Sequence, residues 1–292
     1  MVQIAIIPAS SRSGVTCVEA LLKQKEGNNI QIRQIVRRSE WTNTSALTET
    51  VLNTGADSGS AALEVAFADC NSALIVTPDG GAAFSDDAKL TENMLRAAAS
   101  AGVKHIVLVG SWTVHHPEKL SELAERFLSP EKTLKELEAS HGLKWTVLRG
   151  GYFMQNVLAY ADGIRNDLDI PCAKCLFSPV NVENIGECAA VCLLEGPEKH
   201  HGKYYEMSGP DAISIDQIVQ TMASAVGKRV NTPIVSAASL PLPNFFKQFF
   251  ILGEETFPGC VTPFNNDVGD LIGTEKWTTY VQWVESNKAA WD

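Results

Sequence analysis

No stretch of this 292-residue chain approaches the ~20 consecutive apolar residues that a membrane-spanning helix requires. Basic residues are in deficit: 24 Lys and Arg stand against 34 Asp and Glu, so a net charge of −10 leaves no basic face for nucleic acid. Tyrosine is scarce, five in all, with none between Ala66 and Lys144. The seven cysteines are an odd, scattered set without the rhythm of a disulfide scaffold, which fits a reducing compartment. The start, Met1-Val-Gln-Ile-Ala-Ile-Ile7, has no charged leader and runs straight into a strand pattern, so it does not read as a signal peptide. These absences predict a cytoplasmic globular protein with neither nucleic acid nor membrane as partner. With 45% hydrophobic residues against 20% charged, it has the apolar material for a sizeable core.

What is present is an alternation. Ile4–Ile7, Ile30–Val36, Ala73–Val76, His105–Val109 and Lys144–Leu148 are short apolar runs; Val15–Leu22, Leu90–Ala101 and Pro130–Ser140 carry helical spacing. The last helix is expected to open at Ser129-Pro130, a capping residue followed by a proline in the first turn. Nearly all-apolar strands separated by helices predict a parallel sheet covered on both faces, its ligand-binding loops gathered on one edge. The fold class is therefore α/β: a Rossmann-type doubly wound parallel sheet with a smaller, interleaved C-terminal α/β substrate lobe. Residues 1–155 are expected to form the dinucleotide-binding domain and 156–292 mostly the substrate lobe, with about 180–210 returning to the sheet. Ile185–Leu194, Ile215–Val226 (begun by Ser214) and Trp277–Asn287 read as helices, and Tyr204–Met207 as a strand. Leu240–Pro263 reads as packed loop and helix. Its cluster Phe245–Phe250, with Trp277 and Trp283, either lines a hydrophobic cleft or packs the lobe.

The first strand-to-helix turn is where a dinucleotide fold places glycines, which let the backbone approach the pyrophosphate at a positive helix N-terminus. Here the turn is Pro8-Ala-Ser-Ser-Arg-Ser-Gly14, with only its last glycine kept. Pro8 removes an amide donor, while Ser10, Ser11, Arg12 and Ser13 add hydroxyl and guanidinium donors. Alone, the motif fits a phosphate loop or an ordinary turn. The second strand ends in Arg37-Arg38-Ser39, about 23 residues on, where arginine neutralises a 2′-phosphate and an acidic residue would read ribose hydroxyls. The other reading of that pair is a solvated strand end.

Three further stretches complete the pattern: Ala101-Gly-Val-Lys-His-Ile-Val-Leu-Val-Gly-Ser111, Gly142-Leu-Lys-Trp-Thr-Val-Leu-Arg-Gly-Gly-Tyr-Phe-Met-Gln-Asn156, and Val180–Ala190. Through them the chain resembles, over nearly its whole length, the NmrA-like family of atypical short-chain dehydrogenases/reductases. That family includes quinone and dye reductases and redox-sensing regulators. The resemblance implies NADP(H) as cofactor. It places Ser10, Ser11, Arg12, Ser13 and Gly14 on the pyrophosphate, Arg37 with Arg38 on the 2′-phosphate, and Ala56-Asp57 near the adenine. It puts Thr77-Pro78 beside the nicotinamide ribose, Gly110-Ser111 at the border of the reaction site, and Gly151-Tyr152-Phe153 over the nicotinamide, with Asn156 pinning that turn.

Ser111 and Tyr152 are thus catalytic candidates. The Tyr-x-x-x-Lys pair of ordinary short-chain dehydrogenases is absent. Where isoflavone-type relatives carry a lysine stand Pro130 and Glu131, with Lys132 next to them as a third candidate. Reducing a quinone or a cationic dye needs mainly proximity and orientation, so the missing pair narrows the chemistry. His115, after the Ser111 strand, is either a proton donor or a surface residue. Cys172-Ala-Lys-Cys175 has metal-like spacing but no second pair, so no metal site is expected. The expected function is NADPH-dependent reduction of a quinone, enone or similar planar carbonyl compound; the alternative is an NADP(H)-sensing regulator acting through protein contacts. The expected partner is a small hydrophobic substrate, and the chain is expected to be a monomer or homodimer.

Overall fold

The computed structural model describes residues 2–24, 29–36, 51–53, 59–78 and 84–292. Strand β1 (Val2–Ile7) leads into α1 (Arg12–Lys23). Then come β2 (Ile30–Val36), β3 (Val51–Asn53), α2 (Ser60–Phe67), β4 (Ser72–Val76), α3 (Phe84–Ser100), β5 (His105–Ser111), α4 (Ser121–His141) and β6 (Lys144–Gly150). Later elements are α5 (Ala161–Arg165), β7 (Leu176–Phe177), α6 (Val182–Glu195), α7 (Pro197–His200), β8 (Lys203–Met207) and β9 (Ile213–Ser214). Helices α8 (Ile215–Ala225), α9 (Asn244–Thr256), α10 (Asp267–Ile272) and α11 (Tyr280–Asn287) complete the chain.

Among the described residues, seven strands pair in the order β3-β2-β1-β4-β5-β6-β8, and β1–β2, β2–β3, β1–β4 and β4–β5 run parallel. This is the strand order of a Rossmann fold. The chain runs outward from β1 on one side and then crosses to β4, so the sheet has its switch point between those two strands, where ligands bind beyond the carboxyl ends. Both faces of the sheet are covered. Ala5 and Ile7 face a cluster with Leu63 and Phe67 of α2, Met94 and Leu95 of α3, and Leu134 and Leu137 of α4. Ile4 and Ile6 alternate to the opposite face and are equally buried.

The chain forms two compact units. One comprises Met1–Pro117, Glu122–Arg149 and Glu183–Tyr205; the other Glu118–Ser121, Gly150–Val182 and Glu206–Asp292. In the second, β7 and β9 make a short antiparallel pair, and Ser214 opens α8 with a reciprocal bond between its backbone N–H and Gln217 Oε1 at 3.1 Å. There Phe250 is buried against Phe177 with ring centroids 5.9 Å apart, whereas Phe246 is exposed, so the phenylalanine cluster is only partly core.

One boundary differs from the expectation. Helix α4 starts at Ser121 and runs through Pro130 instead of opening there. A proline removes the N–H of one helix hydrogen bond and crowds the carbonyl four residues earlier, and burial of Leu123 and Ala124 on the turns before it offsets that cost.

Candidate cofactor site

Strand register lines up the exits of β1, β4 and β5: Ile7 stands beside Ile75, and Val76 beside Val109. The β1 exit turns sharply into α1. Its serine is spent on the turn itself: Ser11 Oγ donates to the Pro8 carbonyl at 2.9 Å and accepts from the Gly14 amide at 3.0 Å, capping the helix. The Ala9 amide is taken by the Ile35 carbonyl at 2.9 Å. No backbone acceptor among the described residues takes the amides of Ser10, Arg12 or Ser13. Those amides, the exposed Ser10 and Arg12 side chains and the positive end of α1 are what this turn offers an anion. Ser13 is buried.

Gly14 is held by packing. A Cβ there would lie 2.6 Å from the Pro8 carbonyl oxygen, with helix and strand exit too close for any side chain. From the other flank, a Cβ on Gly186 of α6 would meet the Ser13 carbonyl oxygen at 2.6 Å and Thr16 Cβ at 2.7 Å. The first turn of α1 is therefore wedged between its own strand exit and α6.

At the β4 exit, the Thr77 hydroxyl reaches the Val109 carbonyl at 3.4 Å, and the Pro78 carbonyl accepts from Arg126 Nη2 at 2.8 Å. Arg126 Nε also lies 3.2 Å from Asp87 Oδ2, so a nearly buried ion pair ties α3, α4 and this exit together. At the β5 exit, Ser111 Oγ accepts from the Thr113 amide at 3.3 Å. The Thr113 hydroxyl stands 3.1 Å from the same oxygen and 3.3 Å from the Leu123 carbonyl. With the Thr113 proton turned to Ser111 Oγ, the Ser111 hydroxyl keeps its own proton to donate. His115 is exposed.

The lysine expectation fails on geometry. Lys132 lies on the outer, exposed face of α4. The buried residue of that turn is Glu131, whose carboxylate is gripped by Arg149 at 3.0 and 2.8 Å. Helical spacing decides this, because Glu131, Leu134 and Leu137 share the inward stripe and residue 132 does not.

In the second unit, the turn after β6 is built on backbone pairing. The Gly151 amide donates to the Met207 carbonyl at 2.9 Å, and a Cβ on Gly151 would meet that oxygen at 2.8 Å. The Val180 amide donates to the Tyr152 carbonyl at 2.8 Å, and Phe153 bridges Val180. The Tyr152 ring packs on Phe177 with centroids 4.6 Å apart, and burial drives its phenol well above the ordinary range while its hydroxyl bonds Tyr160. Such a phenol is a poor acid near neutrality. Asn156 is exposed. The side chain that pins this turn is Gln155, which donates to Asn181 Oδ1 at 2.8 Å and accepts from the Val182 amide at 3.3 Å.

Arg37, Arg38 and Asp57 lie outside the described residues. Arg126, Asp87, Gly186 and Gln155 were not singled out from the sequence, because their partners lie far off in the chain and no local spacing marks them. Among the described residues no cluster of His, Cys, Asp and Glu could hold a metal ion, and no helix is long and apolar enough to cross a membrane.

Residues 2–258 match the model of the NmrA-like family. The chain belongs to that family. Among its family-like relatives is the (4-alkanoyl-5-oxo-2,5-dihydrofuran-3-yl)methyl phosphate reductase of Streptomyces griseus, 30% identical over 60% of this chain; the match spans only 58% of that relative's length. Quinone oxidoreductase 2 of Escherichia coli is 26% identical over 80% of this chain and 78% of its own. In structure, this NmrA-like chain matches an NADPH-dependent quinone oxidoreductase from Escherichia coli, solved with NADPH, at a TM-score of 0.80 and 24% identity, covering 97% of this chain and 99% of that one. The last likeness bears on the fold, which it shares over both units.

Proposed function

We propose that this NmrA-like protein is an NADPH-dependent reductase of a quinone, enone or similar planar carbonyl compound. One observation carries the reading. At the switch point of the sheet, helix α1 presents the Arg12 and Ser13 amides, which no backbone acceptor among the described residues takes, beside the Thr77 and Ser111 exits, and the Ser111 hydroxyl is placed to donate. The reductase relatives support it, the quinone oxidoreductase over the greater share of the chain.

The donor set fits a dinucleotide phosphate. The amides of Arg12 and Ser13 and the side chains of Ser10 and Arg12 would hold the pyrophosphate, and Arg37 with Arg38 the 2′-phosphate. When bound, the nicotinamide would supply a hydride, and a proton taken from solvent would complete the reduction of the quinone or enone while NADPH becomes NADP+. Thr77 and Pro78, fixed by Val109 and Arg126, wall the ribose side. The Ser111 hydroxyl donates to the substrate carbonyl oxygen, stabilising the charge that gathers there. Proximity and this one donor then do what a Tyr-x-x-x-Lys pair does elsewhere. The partner is a small hydrophobic molecule.

A second reading, an NADP(H)-sensing regulator, is favoured by the exposure of Lys132 and the weak acidity of Tyr152. Following NADPH oxidation over a panel of p-quinones and enones separates the two. The proposal expects turnover with at least one of them; saturable NADPH binding without turnover on any would establish the regulator instead.

A further inference from the structure

The buried pair Glu131–Arg149 takes part in no step of the proposed reaction, yet it sits against the exit that carries Ser111. Its two side chains are only 6% and 14% exposed. The guanidinium makes both bonds of a fork to the carboxylate and lies 4.0 Å over the Tyr204 ring of β8. Gly110 lies beside the pair: a Cβ there would stand in ordinary contact with Glu131 Oε1, at 3.5 Å, and tightly against Val147 Cγ1, at 3.0 Å. The pair thus bolts α4 to β6 beside the end of β5. From α4 a second contact runs back to the same exit, because the Leu123 carbonyl faces the Thr113 hydroxyl at 3.3 Å and Thr113 holds Ser111 Oγ.

A buried ion pair is a poor device for stability alone, since well-packed apolar residues of the same volume serve as well. What a bidentate fork adds is a fixed orientation. We infer that Glu131 and Arg149 are positioning residues for Ser111: they set α4 against the β5 exit so that Thr113 holds the Ser111 hydroxyl in its donating orientation. This rests on the role proposed for Ser111.

The test uses the full chain in four variant forms: Glu131→Gln, the paired Glu131→Leu with Arg149→Met, Ser111→Ala alone, and that pair in the Ser111→Ala background. The apolar pair keeps the volume and tests orientation without stranding a charge. Expected are a thermal midpoint near that of the parent, an NADPH Kd within about 2-fold, and a kcat on benzoquinone lower by about 10- to 100-fold with KM little changed, the scale of a misplaced reactant. In the Ser111→Ala background the pair's replacement should cost kcat no more than about 2-fold, because the group it positions is gone. Amide exchange across 105–115 should rise about 10-fold in both Ser111 forms. A kcat within about 2-fold of the parent, or a loss that persists undiminished without Ser111, overturns the proposal. Should the apolar pair fail to fold, Glu131→Gln is judged by the same criteria. If the parent turns over NADPH with none of the quinones or enones, the reductase reading falls, and the exchange rates alone decide: unchanged protection across 105–115 in the variants overturns the positioning role as well.

Discussion

A Cβ at Gly14 would meet the Pro8 carbonyl oxygen at 2.6 Å and Ser11 Oγ at 2.7 Å, and the backbone oxygen cannot move without unpicking the β1 exit. Gly14→Val should therefore lower the thermal midpoint sharply whether or not NADPH is added, by the several kcal/mol typical of overpacking, about 1–3 or more. A variant as stable as the parent would show that strand and helix are not in contact there. This changes what Gly14 reports. Reading the sequence, its glycine belonged to a phosphate loop; in the structure its smallness is demanded by protein backbone. The same holds for Ser11, whose hydroxyl looked like a phosphate donor and is consumed by the helix cap. Sequence shows which residue types stand at a turn. It does not show whether their polar atoms are already engaged, and that is why Lys132 and Asn156 were named while the buried Glu131 and the half-buried Gln155 make the contacts.

Helices α1 and α6 meet where Gly186 faces the Ser13 carbonyl and Thr16. The stretch Val180–Ala190 carries part of the family resemblance, and this contact gives it a physical reason: α6 needs a residue without a side chain where it crosses the first turn of α1. Cys17, Cys188 and Cys192 are buried small residues, and burial pushes the Cys17 thiol far up and Cys192 up to about 12. Cys17 and Cys192 pack as neutral thiols and are not reactive ones. Gly186→Ala should displace the first turn of α1 and weaken NADPH binding about 10-fold or more, with a smaller loss of kcat for the cofactor that does bind. Unchanged affinity in calorimetry would place the dinucleotide away from this turn. Elements of this kind were legible wherever one local rule governed them. The apolar runs predicted β2 to the residue and β1, β4, β5 and β6 within three residues, and Ser214 marked the start of α8. The short β3 and α2 went unread, and α4 was shortened because a proline cue outweighed the tertiary burial of Leu123 and Ala124.

At the scale of the whole molecule, the edge of the sheet opposite the proposed site carries a histidine that stays neutral well below the usual histidine range. His105 Nε2 lies 2.9 Å from Thr146 Oγ1, which itself donates to the His200 carbonyl at 2.8 Å. Threonine is thus the acceptor, and the buried Nδ1 has no partner. Burial first, then His200 and His201, push His105 down to about 4. His200 is paired with Glu195 and Tyr205, and His201 with Glu138, so the carboxylates nearby are already engaged. Because the unfolded chain takes up this proton at an ordinary histidine pKa and the folded chain does not, the contribution is present above about 6.5 and is lost as pH falls toward 4. On the order of 3 kcal/mol is at stake across that window. Urea unfolding should show the decline, and His105→Gln should flatten it by about one proton; identical slopes would remove His105 from the account.

The most direct test of the central claim, that the switch-point edge is an NADP(H) site, is calorimetric titration of the protein with NADPH and with NADH. The account predicts one saturable site per chain, with NADPH bound about 10-fold or more tightly than NADH, as expected if Arg37 and Arg38 meet the 2′-phosphate. Equal affinity for the two, or no saturable heat with either, would contradict it.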